Sequence, residues 1–170
     1  DYRQLIGRNA KTGIDILRDM LPATIDATKF KDEWLNTYRQ LVDDYIEVKP
    51  GAHQLLACLE KMQIPRAVAT SSSGEKARAI LERVGLWQYI PHLTGGDEVK
   101  AGKPAPDVYL DSAKKLGVDA PRCVAFEDSE TGIKAALAAG MRVIQIPDLI
   151  AAERVQAPPA YYLASSLSEG

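Results

Sequence analysis

Residues 122–147 read RCVAFEDSETGIKAALAAGMRVIQIP. An apolar run at 122–126 leads into an acidic pair and a serine. A helical stretch follows over 130–139, ended by Gly140, and a second apolar run at 142–146 stops at Pro147. Strand, helix and strand in so short a span predict a βαβ unit, whose two strands must be parallel and whose sheet is covered by helices. Both runs are apolar throughout, so both strands are expected to be buried on their two faces.

The same alternation continues upstream. The helix HQLLACLEKM follows Val48-Lys49-Pro50-Gly51, and RAVAT at 66–70 reads as a strand. Ser73 is placed to cap the next helix, GEKARAILERVG, which Gly85 ends. A short apolar piece at 89–93 precedes a Gly-rich loop, and a helix over 107–116 stops at Gly117. Downstream, APPAYYLASSLSEG reads as a loop, an edge strand at Tyr161–Leu163 and a fraying end. Residues 1–47 differ, because only helical periodicity occurs there. Ile14, Leu17 and Leu21 recur at three and four before Pro22, and Phe30, Trp34, Tyr38, Leu41 and Tyr45 do so after it. The expected fold class is therefore α/β: a Rossmann-like parallel sheet flanked by helices over 48–170, with a helical unit over 1–47.

The chain has 170 residues, 46% of them hydrophobic, and a formal net charge of −2. Those values fit a globular core and argue against a nucleic-acid partner or a membrane surface. No run of about 18 apolar residues is present to span a bilayer. Cys58 and Cys123 sit in apolar runs and are expected to be buried thiols in a reducing compartment, hence a cytoplasmic protein. His53 and His92 form no ligand motif with them. No signal peptide is visible, and Asp1-Tyr2-Arg3 opens without methionine, so a further N-terminal piece is expected.

In an open parallel sheet, ligands bind beyond the carboxyl ends of the strands. After RAVA come Thr70-Ser71-Ser72-Ser73-Gly74, hydroxyls and small residues opening a helix. That suits an anion such as phosphate, and it equally suits a plain helix cap. After CVAF come Glu127-Asp128-Ser129, two carboxylates that suit Mg²⁺ or simply complement a helix dipole. Between them Lys103 lies in GKPAPD, a fixed cation for a phosphoryl oxygen or a surface lysine beside a turn. Converging on one sheet edge, a hydroxyl, a lysine and an acidic pair can hold a phosphate, its charge and its metal. Phosphoryl transfer needs those functions and an in-line nucleophile.

GKPAPD and FEDSETGI, in this order after AVATSSS, resemble the haloacid dehalogenase superfamily, in particular its phosphatases and β-phosphoglucomutase-like members. The likeness is close from about Lys49 to Pro147. It implies that residues 1–47 are most of a helical cap and that 48–170 are the core. It implies that Thr70 and Lys103 are catalytic, with Thr70, Ser71 and Lys103 binding phosphate. It implies that Asp128 is a magnesium ligand, with Glu127 a ligand or water-mediated partner and Ser129 supporting them. The family's first motif, an Asp-x-Asp on a central first strand, has no counterpart; Asp43-Asp44 falls in the cap helix. The resemblance therefore places nucleophile and strand upstream of Asp1, with a gap in the sheet or strand exchange with another chain as the structural consequence. The implied activity is a Mg²⁺-dependent phosphatase acting on a small phosphorylated metabolite, a sugar phosphate first among them, with the chain by itself inactive. A phosphosugar mutase and a non-catalytic binding module are the alternatives. Arg8 and Asn9 are read either as substrate contacts or as a solvent-facing helix start.

Overall fold

The computed structural model describes residues 10–42, 46–148 and 160–168. Arg8, Asn9, Asp43, Asp44 and Tyr45, and the side chains of Tyr38 and Leu41, lie outside the described residues.

Two helices come first, α1 (Ala10–Met20) and α2 (Ala27–Val42), packed on each other with Leu17 and Ala27 buried. The carboxylate of Asp26 accepts the N–H groups of Thr28 (2.8 Å) and Lys29 (3.1 Å), which fixes the start of α2. Those two bonds hold the Asp26 carboxyl below its usual range. The apolar stripe of α2 is only partly covered. Phe30 and Trp34 pack on each other, 6.3 Å between ring centroids, and both remain exposed.

The α/β part runs α3 (Ala52–Lys61), β1 (Ala67–Ala69), α4 (Gly74–Arg83), β2 (His92–Thr94), α5 (Asp107–Leu116), β3 (Val124–Glu127), α6 (Glu130–Ala138), β4 (Arg142–Gln145) and β5 (Tyr161–Leu163). The apolar piece at 89–93 divides into the end of a 3₁₀ turn at Trp87–Tyr89 and the start of β2. Gly85, Gly117 and Gly140 have positive φ just past α4, α5 and α6, where the sequence ends those helices.

All strand pairs are parallel, in two sheets. β1 pairs with β2, Val68 opposite Leu93. β3 pairs with β4, Ala125 opposite Val143, and β4 with β5, Ile144 opposite Tyr162. α5 packs on β1, β2 and α6, while α6 packs on β3 and β4, so the α5–α6 contact joins the two sheets on one face. Val108, Ile133, Ala135, Ala136 and Val143, each at most 2% exposed, form the centre of that seam. The alanines let backbone and sheet approach closely, and their burial is the main stabilising term here.

No ladder joins β1 to β3. This break lies where the sequence resemblance expects a central strand. It also corrects the expectation of strands buried on both faces: along β3, Ala125 and Glu127 are buried while Val124 and Phe126 are 48% and 37% exposed. Val124 and Phe126 point to the sheet face away from α6, the helix that packs on this strand, so that face of β3 is left uncovered. Cys58 departs too. It is exposed, because α3 buries none of its residues, and Cys123 is only half-buried, which pushes its thiol pKa up.

The loop after β2 is packed backbone to backbone against the loop after β1. Gly96 N–H donates to the Ser72 carbonyl (2.8 Å), and Gly74 N–H donates to Asp97 Oδ1 (2.9 Å). Ser73 stands at the N-cap of α4 but makes no side-chain cap bond; Asp97 supplies the acceptor from across the gap between loops. Glu98 accepts Gly95 N–H (2.7 Å) and pairs with Lys115 (2.7 Å), which also pairs with Asp111 (3.0 Å). Asp111 accepts from the hydroxyl of fully buried Thr94 (3.1 Å). The hydrogen bonds from Lys115 hold both carboxyls below their usual range.

A Cβ on Gly96 would stand 2.5 Å from the Ser71 carbonyl oxygen, with no flexible atom to give way. Gly96→Ala is expected to cost about 1–3 kcal/mol in urea unfolding. Gly13, within α1, has nothing within 4 Å of its Cβ position, and Gly13→Ala is expected to stabilise by about 0.5–1 kcal/mol.

Candidate active site

The break between β1 and β3 opens as a cavity of about 490 Å³, lined among others by Thr70, Ser71, Lys103, Glu127, Asp128 and Ser129. The strand-end residues and the lysine singled out in the sequence thus reach one place, while Arg8 and Asn9 lie outside the described residues. Each arrives from a strand end or from the loop before α5, the position that a parallel sheet reserves for ligands.

Thr70 follows β1. Its N–H donates to the Thr94 carbonyl (3.0 Å), and its Oγ1 accepts the N–H of Ser72 (3.1 Å), which curls the loop toward the cavity. Lys103 is buried at 8% exposure, so it is no surface lysine beside a turn. Its ammonium forms an ion pair with Glu127 Oε1 and reaches Tyr109 Oη at 3.2 Å and the Ala69 carbonyl at 3.4 Å. The lysine therefore connects the end of β1 to the end of β3 across the break.

Glu127 is equally buried and its carboxylate is fully engaged. Oε1 accepts from Lys103 and from the Tyr109 hydroxyl. Oε2 accepts Asp128 N–H (3.1 Å), Ser129 N–H (3.3 Å) and the Ser129 hydroxyl (3.1 Å). Ser129 Oγ also accepts Gly132 N–H (3.1 Å) and so caps α6. The Glu127 carboxylate rests directly on Gly132, where any Cβ would collide with it. Burial pushes Glu127 up, but the charge and hydrogen bond of Lys103 outweigh it and hold its carboxyl below the usual range. Tyr109 is pushed up, first by burial and then by the neighbouring Glu127 charge.

Asp128 opens on the cavity. Loss of solvent at the cavity wall raises its carboxyl above the usual range, and the Glu127 charge adds to that. Two hard carboxylates beside Lys103, with Lys49 paired to Asp148, leave negative charge that a small divalent cation would relieve. Among the described residues no cluster of three or more His, Cys, Asp or Glu could hold a metal. A pair suffices for Mg²⁺, which commonly takes one or two carboxylates and fills its shell with water and phosphate. With the Glu127 oxygens taken, the donor set fits Asp128 as the direct ligand.

Tyr109, Lys49 and Asp148 belong to this place and were not found by motif. Tyr109 lies in the first turn of α5, six residues past Lys103, and helical side chains lean back toward the N-terminus; that lean was the available signal. Lys49 lines the cavity and pairs with Asp148 at 3.0 Å. Their separation of 99 positions gives sequence spacing nothing to work with.

Lys103→Met would leave a buried carboxylate without its cation and is expected to cost about 3–5 kcal/mol. The pH dependence carries a sign. A carboxyl held low in the folded state adds stability that is complete above its ordinary value and lost as pH falls through the lower folded value. Lys103→Met should remove that loss, flattening the acid limb of stability against pH for this group. Gly132→Ala should displace the Glu127 carboxylate and cost about 1–3 kcal/mol. Urea titrations between pH 3 and 7 check both.

A family model described as a haloacid dehalogenase-like hydrolase matches residues 3–140. A phosphorylated carbohydrates phosphatase of Thermotoga maritima is 31% identical over 143 residues, covering 84% of this chain and 66% of that protein. A fructose-1-phosphate phosphatase of Escherichia coli is 44% identical over 82 residues, 48% of this chain and 44% of that one. The chain therefore spans less than two thirds of the length of these relatives. A crystal structure of CbbY from Rhodobacter sphaeroides in complex with phosphate superposes with a TM-score of 0.83 at 28% identity, covering 99% of this chain and 78% of that one. Parallel strands, flanking helices, strand-end chemistry and the match over 3–140 agree: the chain belongs to the haloacid dehalogenase-like hydrolases.

Proposed function

We propose that this chain is the phosphate- and metal-holding part of a Mg²⁺-dependent phosphatase acting on a small phosphorylated carbohydrate. The observation that carries the reading is the buried Lys103 ammonium. It is paired with Glu127 at the wall of a cavity that also holds Thr70, Ser71 and Asp128. In this reading residues 48–170 are the core and 1–47 part of a cap over it. The substrate class is supported by the names of the two phosphatase relatives above. A cytoplasmic location goes with the reading, since free thiols such as exposed Cys58 persist in reducing compartments. No helix among the described residues is long and apolar enough to cross a membrane.

The roles divide by chemistry. The Thr70 hydroxyl and the Ser71 N–H bind phosphoryl oxygens, and Lys103 balances their charge. Asp128 holds Mg²⁺ directly, while Glu127 fixes Lys103 and the turn carrying Asp128. Bound Mg²⁺ supplies Lewis-acid stabilisation of charge on the phosphoryl oxygens. Neither cavity carboxylate is suited to attack: Glu127 is fully bonded, and Asp128 is assigned to the metal. The attacking carboxylate is delivered into the open side between β1 and β3 by a segment outside the described residues, upstream of Asp1 or from another chain.

Two outcomes are expected. The 170-residue chain shows no turnover of a generic phosphate monoester, and a form carrying an upstream Asp-x-Asp strand does; turnover by the short chain refutes the assignment of the nucleophile. In calorimetric titration the chain binds Mg²⁺, and Asp128→Asn weakens that binding at least about tenfold. Protons compete for the same carboxylate. Because its pKa is raised, affinity falls as pH drops while still above the ordinary aspartate range, by up to about tenfold per unit. Unchanged binding in Asp128→Asn removes the metal assignment.

A further inference from the structure

A lysine ammonium has three hydrogens. In Lys103 they meet three acceptors: Glu127 Oε1, the Tyr109 hydroxyl oxygen at 3.2 Å and the Ala69 carbonyl at 3.4 Å. A phosphoryl oxygen reaching Lys103 must take the place of one of them. The Ala69 carbonyl makes the longest contact and stands at the cavity wall, so it is the one to yield. The other two partners must then keep the ammonium in place.

Tyr109 is built for that. It is 6% exposed and packed in the core seam, so its ring cannot swing away. Its hydroxyl hydrogen goes to Glu127 Oε1, and its oxygen receives Lys103. The ammonium also lies 4.9 Å from the centre of its ring. A ring present only for packing needs no hydroxyl; here the hydroxyl touches both members of the ion pair. By donating to Glu127, it satisfies part of the carboxylate's charge and leaves more of the lysine's for a ligand.

We propose that Tyr109 is a positioning residue: its hydroxyl holds the Lys103 ammonium toward the cavity and shares Glu127 with it, so that Lys103 can take a phosphoryl oxygen. The proposal deepens the phosphatase reading and rests on it for the identity of the ligand.

The test uses the ¹⁵N-labelled 170-residue chain, Tyr109→Phe, Tyr109→Leu and Lys103→Met. It has two readouts besides the thermal midpoint: exchange of the Lys103 ammonium hydrogens with water, and affinity for inorganic phosphate with Mg²⁺ present. Tyr109→Phe keeps the ring and its packing but removes two hydrogen bonds from a buried ion pair, so its midpoint should fall by less than that of Tyr109→Leu. Its ammonium exchange should nevertheless quicken, and its phosphate affinity fall, each by about tenfold, the size of one hydrogen bond to a charged group. Tyr109→Leu should lose the same binding and unfold earlier. If phenylalanine leaves exchange as slow as in the parent, the hydroxyl does not hold Lys103 and the proposal falls, whatever phosphate does. If exchange quickens but affinity is retained, it falls as well, because the hold then has no bearing on the ligand. If the parent shows slow exchange that phenylalanine abolishes, yet the parent binds phosphate no better than Lys103→Met does, the hold on Lys103 stands and the phosphate reading fails.

Discussion

A lysine and a glutamate buried side by side, Lys103 and Glu127, connect parts of the structure that no sheet hydrogen bond joins. Burying either charge alone would be prohibitive. Together they are tolerable only because every remaining polar atom is answered. The lysine adds the Ala69 carbonyl at the end of β1, and Tyr109 brings in α5. The glutamate adds two N–H groups and a hydroxyl from the turn into α6. The pair thus fixes the ends of β1 and β3 and the starts of α5 and α6 relative to one another. Gly132 is part of the same constraint, because the carboxylate lies where a side chain would otherwise begin.

Much of this was legible in the sequence, for a physical reason. Strand order and helix ends are local properties. The apolar runs that became β1, β3 and β4, and the glycines after α4, α5 and α6, carry their own instructions in periodicity and allowed φ. The site was legible as well, since topology alone brings residues after parallel strands to one edge. Thr70, Lys103 and Asp128 needed no contact information to be grouped.

What failed to show depends on contacts between distant segments. Ser73 has the right identity for a cap, yet Asp97 fills that role, because the glycines at 95 and 96 let a second loop come within backbone distance. Cys58 and Phe126 have apolar character, which states a preference for burial but not whether a neighbour exists to provide it. Cys58 lies on a helix that buries none of its residues, and Phe126 lies on the face of β3 away from α6. Tyr109 belongs to no motif; its role lies in where its hydroxyl ends, which only the packed structure defines.

The charge balance of the cavity connects fold to function. Lys103 is already neutralised by Glu127, and Asp128 adds a further carboxylate whose pKa is raised by burial and then by the Glu127 charge. Lys49 also lines the cavity, but its partner Asp148 cancels it. A phosphate dianion entering as things stand would meet a wall of net negative charge, however well Thr70 and Ser71 were placed. A divalent cation, if held at Asp128, would reverse that sign. Under the phosphatase reading, metal and phosphate must therefore bind with strong mutual dependence, each making the other's site favourable. The same arithmetic explains why the acidic pair and the lysine are held so firmly. If Glu127 could turn from Lys103 toward the metal, the cavity would lose at once its anchored cation and the connection between its two sheets.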